Sequence, residues 1–156
     1  MSVMNREAVS VTNREATSEA ITYARIVELL TAELKAVVAK FVSLPVIWPG
    51  QVPSRVFPPN QTYAPVSTVL TDETPISLGV DPVYQSVGQV VLRFLAAIAP
   101  PGELIKIRNV ASNVKDAWRK SVEVDQVYVS SFQIIEGPIA QGRMPIDVVL
   151  NFYYYS

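Results

Sequence analysis

Asp72 with Glu73, and Glu123 with Asp125, are the places where neighbouring carboxylates could share acid–base work. Each pair stands in a stretch that reads as turn. Residues 71–82 carry Asp72, Pro75, Gly79 and Asp81-Pro82, and no third polar group converges on either pair. Solvated turn acids are the simpler reading. The 156-residue chain has no His and no Cys, which excludes a Ser-His-Asp triad, histidine metal sites, thiolate metal sites and disulfides. No glycine-rich phosphate loop of the GxGxxG or GxxxxGK[ST] kind is present. The expectation is a protein that is not an enzyme and holds no cofactor or metal.

The remaining side chains of interest suit contact rather than chemistry. Arg108, Lys115 and Arg119 recur at helical spacing and form a basic stripe. It could face DNA or an acidic partner, or be the solvated face that an amphipathic helix normally shows. The net charge of −1 and isoelectric point near 5.4 speak against tight nucleic-acid binding. Tyr153, Tyr154 and Tyr155 alternate on a strand, so one or two rings point away from the core. Trp48 and Phe57 sit among Pro45, Pro49, Pro53, Pro58 and Pro59 in a loop over residues 43–60. That loop either folds back over its own core or grips a neighbouring subunit. The candidate interface residues are therefore Trp48, Phe57, Arg108, Lys115, Arg119, Tyr153 and Tyr155.

The elements that must position these groups follow from periodicity. Residues 22–42 form an amphipathic helix with Tyr23, Ile26, Val27, Leu30, Leu34, Val37, Val38 and Phe41 on one arc. Thr22 is its N-cap, and Leu44-Pro45 ends it because a residue before proline is pushed out of the helical region. Residues 63–70 are strand-like, with Pro65 marking an edge or a strand start. Residues 84–97 alternate as a long strand in which Gly88 suggests a bulge. Pro100-Pro101-Gly102-Glu103 opens a second helix that runs to about residue 120 and buries Leu104, Ile107, Val110, Ala111, Val114, Ala117 and Trp118. Two strands, residues 127–135 and 144–155, close the chain. This order predicts an α+β fold: a mixed, mainly antiparallel sheet with two helices packed on one face. Residues 21–156 form one domain, preceded by an N-terminal arm over residues 1–20. In that arm Asn5-Arg6-Glu7-Ala8 recurs as Asn13-Arg14-Glu15-Ala16, an offset that keeps both copies on one face of an extended chain.

Composition says where such a domain goes. Hydrophobic residues make up 49% and charged residues only 17%, with a mean hydropathy of +0.25. Soluble domains carry about 25% charged residues. The apolar excess must be covered, and a protein–protein interface is the simplest cover. The longest apolar run, residues 90–101, contains Arg93 and ends in paired prolines, well short of the roughly 20 residues of a spanning helix. Residues 1–20 lack an apolar signal-peptide core. The chain is expected to be made and used in a cytoplasm, or in a particle assembled there.

The order of these features resembles bacteriophage tail terminator proteins, the subunits that cap the tail tubes of long-tailed phages. The resemblance is carried by the first helix, Pro45-Val46-Ile47-Trp48-Pro49, and Phe57-Pro58-Pro59 before the Tyr63 strand. It continues through Leu78-Gly79, the Gly88 strand, the Pro101-Gly102 helix start and the aromatic strand ending near Phe152. It spans residues 22–155 as an order of short motifs. The chain departs from the family at Gly50, where Asn is usual, and in residues 1–20, which precede the usual start. The resemblance implies a virion protein of the tail and neck, assembled in the host cytoplasm. Its subunits would form a hexameric ring that ends tube polymerisation, meets the tail tube protein and a head-side connector or stopper, and lets DNA through the lumen without specific binding. The rival readings are another neck component, such as a tail-completion or head–tail joining protein, a small ligand-binding or enzymatic domain using Asp and Glu, and a nucleic-acid binder.

Overall fold

Thr22 adopts an extended conformation and its hydroxyl accepts the Arg25 N–H at 3.3 Å, so helix α1 (Tyr23–Phe41) begins one residue later. It ends where expected. Val42 is extended and its N–H closes on the Val38 carbonyl at 2.9 Å, two residues before Leu44-Pro45. The computed structural model describes residues 21–53 and 56–156, so the expected arm over residues 1–20 lies outside the described residues.

After α1 come β1 (Val46–Ile47), β2 (Ala64–Pro75), β3 (Tyr84–Ala97), α2 (Glu103–Ser121), β4 (Tyr128–Glu136) and β5 (Arg143–Tyr155). They make a five-stranded sheet in the order β1-β2-β3-β5-β4. β1 runs parallel to β2, and every other neighbour is antiparallel. This is the expected α+β fold.

Register sorts the strands into two faces. Val66 opposes Leu92, Leu92 opposes Val148, and Val148 opposes Ile134, all on one face. Leu92, Phe94, Val148, Leu150 and Phe152 are fully buried there. Both helices cover this face. α1 buries Ile26, Leu30, Leu34, Val37 and Val38 in the same cluster, and the Tyr23 hydroxyl reaches Thr68 Oγ1 on β2 at 3.1 Å. α2 lies against β3, β5 and β4, burying Ile107, Ala111, Val114 and Trp118. Gly102, at φ 92°, provides the left-handed entry to α2. Glu103 stands at the positive end of the helix and accepts the Thr62 hydroxyl at 3.1 Å. That hydroxyl oxygen in turn accepts the Ala97 N–H at 3.0 Å, which ties α2 to the end of β3.

Four expectations need correction. Residues 71–75 are strand, not turn: β2 continues to Pro75, which pairs with Tyr84. Residues 69–75 of β2 are exposed on both faces of the sheet, so the apolar alternation that signals a strand is lost. Asp72 and Glu73 are thus strand residues, whereas Glu123 and Asp125 do lie in the α2–β4 connection. The bulge belongs to β2, where the register shifts between Leu70 and Asp72; Gly88 is the residue opposite. The proline-rich loop contains a short strand, β1, which pairs Val46 and Ile47 with Ala64 and Pro65. Phe41, expected on the buried arc, is 41% exposed. It lies on the rim of a groove between the last turn of α1 and the first turns of α2, beyond the reach of the sheet.

Gly88 is required by close approach. A Cβ there would lie 2.6 Å from Phe152 Cζ and 2.8 Å from the Val69 carbonyl oxygen, and the latter is backbone that cannot swing aside. Gly88→Ala is expected to lower unfolding free energy by about 1–3 kcal/mol, measured by denaturant titration.

Candidate subunit interface

Proline cannot donate a backbone hydrogen bond, so a proline-dense loop presents carbonyls that need donors from elsewhere. Arg143, the first residue of β5, supplies them. Its guanidinium donates to the carbonyls of Phe57 at 3.1 Å, Pro58 at 2.6 Å and Gln61 at 3.2 Å. It also lies 4.9 Å above the Tyr63 ring, on which Phe57 stacks at 4.4 Å. Trp48 is half-buried against the core, with Lys35 Nζ 5.2 Å from its ring centroid. Its backbone N–H donates to Gln51 Oε1 at 3.1 Å, and its carbonyl accepts the Gln51 backbone N–H at 3.0 Å. Both candidate aromatics of the loop therefore contact their own chain. Arg143 was not singled out in the sequence; the signal was an arginine opening a strand in a chain whose proline loop lacks donors.

The basic stripe lies on the flank of α2 that faces β4. Arg108 donates to both carboxylate oxygens of Glu136, at 2.6 and 3.1 Å. This bond holds the Glu136 carboxyl below its ordinary range and the Arg108 guanidinium above its own. Arg119 lies 3.4 Å from Asp116, one turn earlier. Lys115 stands between the two arginines and is half-buried. Arg119 also borders a groove of about 620 Å³ formed with Val122, Val127, Val129, Phe132 and Tyr153.

The tyrosines divide as their alternation requires. Tyr154 turns to the helices and is 5% exposed, while Tyr153 and Tyr155 occupy the opposite face of the sheet. There Tyr128 of β4 joins them, stacked on Tyr153 at 5.1 Å and edge-on to Tyr155 at 5.9 Å. Tyr128 was missed because only the β4–β5 register, which opposes it to Tyr153, brings it in.

Beyond these rings the second face is a hydrogen-bonded ribbon. Gln89 donates to Asn151 at 2.9 Å, and Asn151 donates to Ser131 at 2.9 Å and Gln133 at 3.3 Å. Arg93 grips Asp147 with two bonds of 2.8 and 2.9 Å, which raise the Arg93 pKa. Val91 and Val149 lie between these polar groups. Among the described residues, no helix covers this face and no three metal-ligating side chains converge anywhere. No helix among them is long and apolar enough to cross a membrane.

No family model matches the chain, and no curated protein matches it. One solved structure, titled only with a sequence identifier, is 16% identical to this chain. The match covers 81% of this chain and 95% of that one, with a TM-score of 0.40, too distant to bear on function.

Two outcomes test this geometry. Because Glu136 titrates below its ordinary value when folded, its bond to Arg108 is complete above the usual carboxylate range and is lost as pH falls through the depressed value. A carboxyl-detected NMR titration should find that low midpoint, and Arg108→Ala should return it to the ordinary value. Arg93→Ala leaves Asp147, only 9% exposed, without its donor. It should cost about 1–3 kcal/mol in denaturant unfolding.

Proposed function

We propose that this chain is a structural ring subunit of a long-tailed phage. The ring sits at the head-proximal end of the tail tube, ends tube polymerisation and offers a surface to the head-side connector or stopper. The observation that carries this reading is the one-sided sheet. Both helices serve one face, and the other presents Tyr128, Tyr153, Tyr155 and Ile135 with no described element over them. Apolar and aromatic surface of that kind is what identical copies and flat protein partners cover.

Three further features support it. The motifs that carry the family resemblance fall on α1, the Trp48 turn, β2, β3, the start of α2 and β5. The arginines of the basic stripe have acidic partners within the chain, which suits a lumen that DNA traverses without sticking. The projecting β2–β3 hairpin exposes Ile76, Leu78 and Val80 at its turn, a surface suited to a tube or connector subunit. The ring is hexameric in this reading and resides in the virion neck after assembly in the host cytoplasm.

Native mass spectrometry of the purified chain should show a closed oligomer of six subunits that binds tail tubes. An amber mutant of the phage should produce abnormally long tubes, or tails that fail to join heads. A chain that stays monomeric at high concentration and is absent from virions would overturn the reading. Tubes of normal length carrying a defect only in head joining would move the protein to another place in the neck.

A further inference from the structure

The sheet has two unfinished edges. β4 is nine residues long and reads Tyr-Val-Ser-Ser-Phe-Gln-Ile-Ile-Glu, with no proline, no lysine and one charge at its last position. Among the described residues no strand lies outside it. At the other end β1 covers only Ala64 and Pro65, so the outer edge of residues 66–75 of β2 is also unpaired among the described residues. Monomeric proteins blunt such edges with prolines, charges or covering segments, because open backbone donors and acceptors recruit another strand. β4 has none of these before Glu136, whereas the far half of β2 carries Asp72, Glu73 and Pro75.

We propose that the two edges pair with each other between copies of this chain, β4 of one subunit beside β2 of the next. The proposal rests on the ring reading above and names the contact that closes the ring. Strand direction permits it. β2, β3, β5 and β4 alternate, so the two edges run in opposite directions. A rotation about an axis along the strands sets the next β2 antiparallel to β4 and keeps the helices of both copies on one side. Head-to-tail contacts of this kind give rings when the rotation between copies closes, and the ring reading requires that it does.

Charge selects this pairing over β4 against β4. The β4 edge is flanked by the basic stripe of α2, and the β2 edge carries Asp72 and Glu73. Glu73 opposes Ser86, which opposes Tyr154, so Glu73 lies on the helix side of the sheet, the side that bears Arg119. Among the described residues Glu73 and Lys115 have no ion-pair partner. With Val66 set opposite Glu136, both faces match: Ser67 meets Ile135, Leu70 meets Phe132, and Glu73 arrives beside Val129, next to Arg119. A β4–β4 pair would instead stop at a dimer and leave Glu73 and the β2 edge uncovered.

The test is a charge exchange read by analytical ultracentrifugation and native mass spectrometry of the full chain, with circular dichroism confirming the fold. Glu73→Arg and Arg119→Glu should each raise the concentration needed for assembly about tenfold or more, and the combined variant should recover most of that loss. Because the chain has no cysteine, a variant carrying both Ser67→Cys and Ile135→Cys contains the only thiols. Mild oxidation should give a ladder of covalent multimers beyond the dimer, which neither single variant gives. Folded charge variants that assemble like the unaltered chain, or an oxidised double-cysteine variant with no ladder, would overturn the edge pairing while leaving the ring in place. An unaltered chain that is monomeric would overturn both.

Discussion

β3 and β5 pair without interruption from Gln85–Tyr155 to Ala97–Arg143, and the other described elements pack on or pair beside that ladder. The two strands are distant in sequence, so their pairing closes a long loop, at an entropic cost that the core must offset. That loop contains α2 and β4. Across the ladder Phe94, Leu92, Val90, Val148, Leu150 and Phe152 form one apolar strip, fully buried beneath α1 and α2. The pairing leaves no room for error in face. A slip of one residue would turn either Arg93 inward and Phe94 outward on β3, or Asp147 inward and Ile146 outward on β5.

The face away from the helices shows how a sheet with one covering layer keeps its form. Its centre is polar but satisfied. Asp147 and Arg93 neutralise one another across β5 and β3, and Asn151 links β3, β5 and β4 through side-chain hydrogen bonds. Such a network tolerates water or a partner equally, because its donors and acceptors are already paired. The aromatic cluster of Tyr128, Tyr153 and Tyr155 at one end is different in kind: large ring area with hydroxyls that remain free to meet water or a second surface. The helix side carries two exceptions to full satisfaction among the described residues, Thr31 Oγ1 on α1 and Trp118 Nε1 on α2. Trp118 Nε1 is buried without a hydrogen-bond partner among the described residues, a cost of about 1–3 kcal/mol set against the burial of a large ring that packs edge-on to Phe132 at 5.5 Å.

Charge in this molecule is used locally. Arg108 is spent on Glu136, Arg143 on the carbonyls of the proline loop and Arg93 on Asp147. A basic stripe that looks continuous along α2 is therefore broken up by its surroundings. The pairing of Arg108 and Glu136 brings α2 against the end of β4, and the Arg143 bonds fasten residues 57–61 to the start of β5. In both cases a guanidinium with several donors in a fixed plane joins segments that are far apart in sequence.

Local sequence determined the two described helices. The 3.6-residue spacing of Ile26, Leu30, Leu34 and Val37, the Thr22 cap and the stop before Pro45 are local physics, and they appear in α1 with limits one residue inside the expected span at each end. The α+β class and the long strands β3 and β5 followed from the same kind of signal. The far half of β2 did not, because a strand exposed on both faces has no apolar alternation to read. Which side chains meet was decided only by tertiary structure. Tyr128 on Tyr153, Arg143 under the proline loop, Arg108 on Glu136 and the folding of Trp48 and Phe57 onto their own chain all depend on strand register and on loops closed over many residues. Those are relations between segments, and no local spacing encodes them.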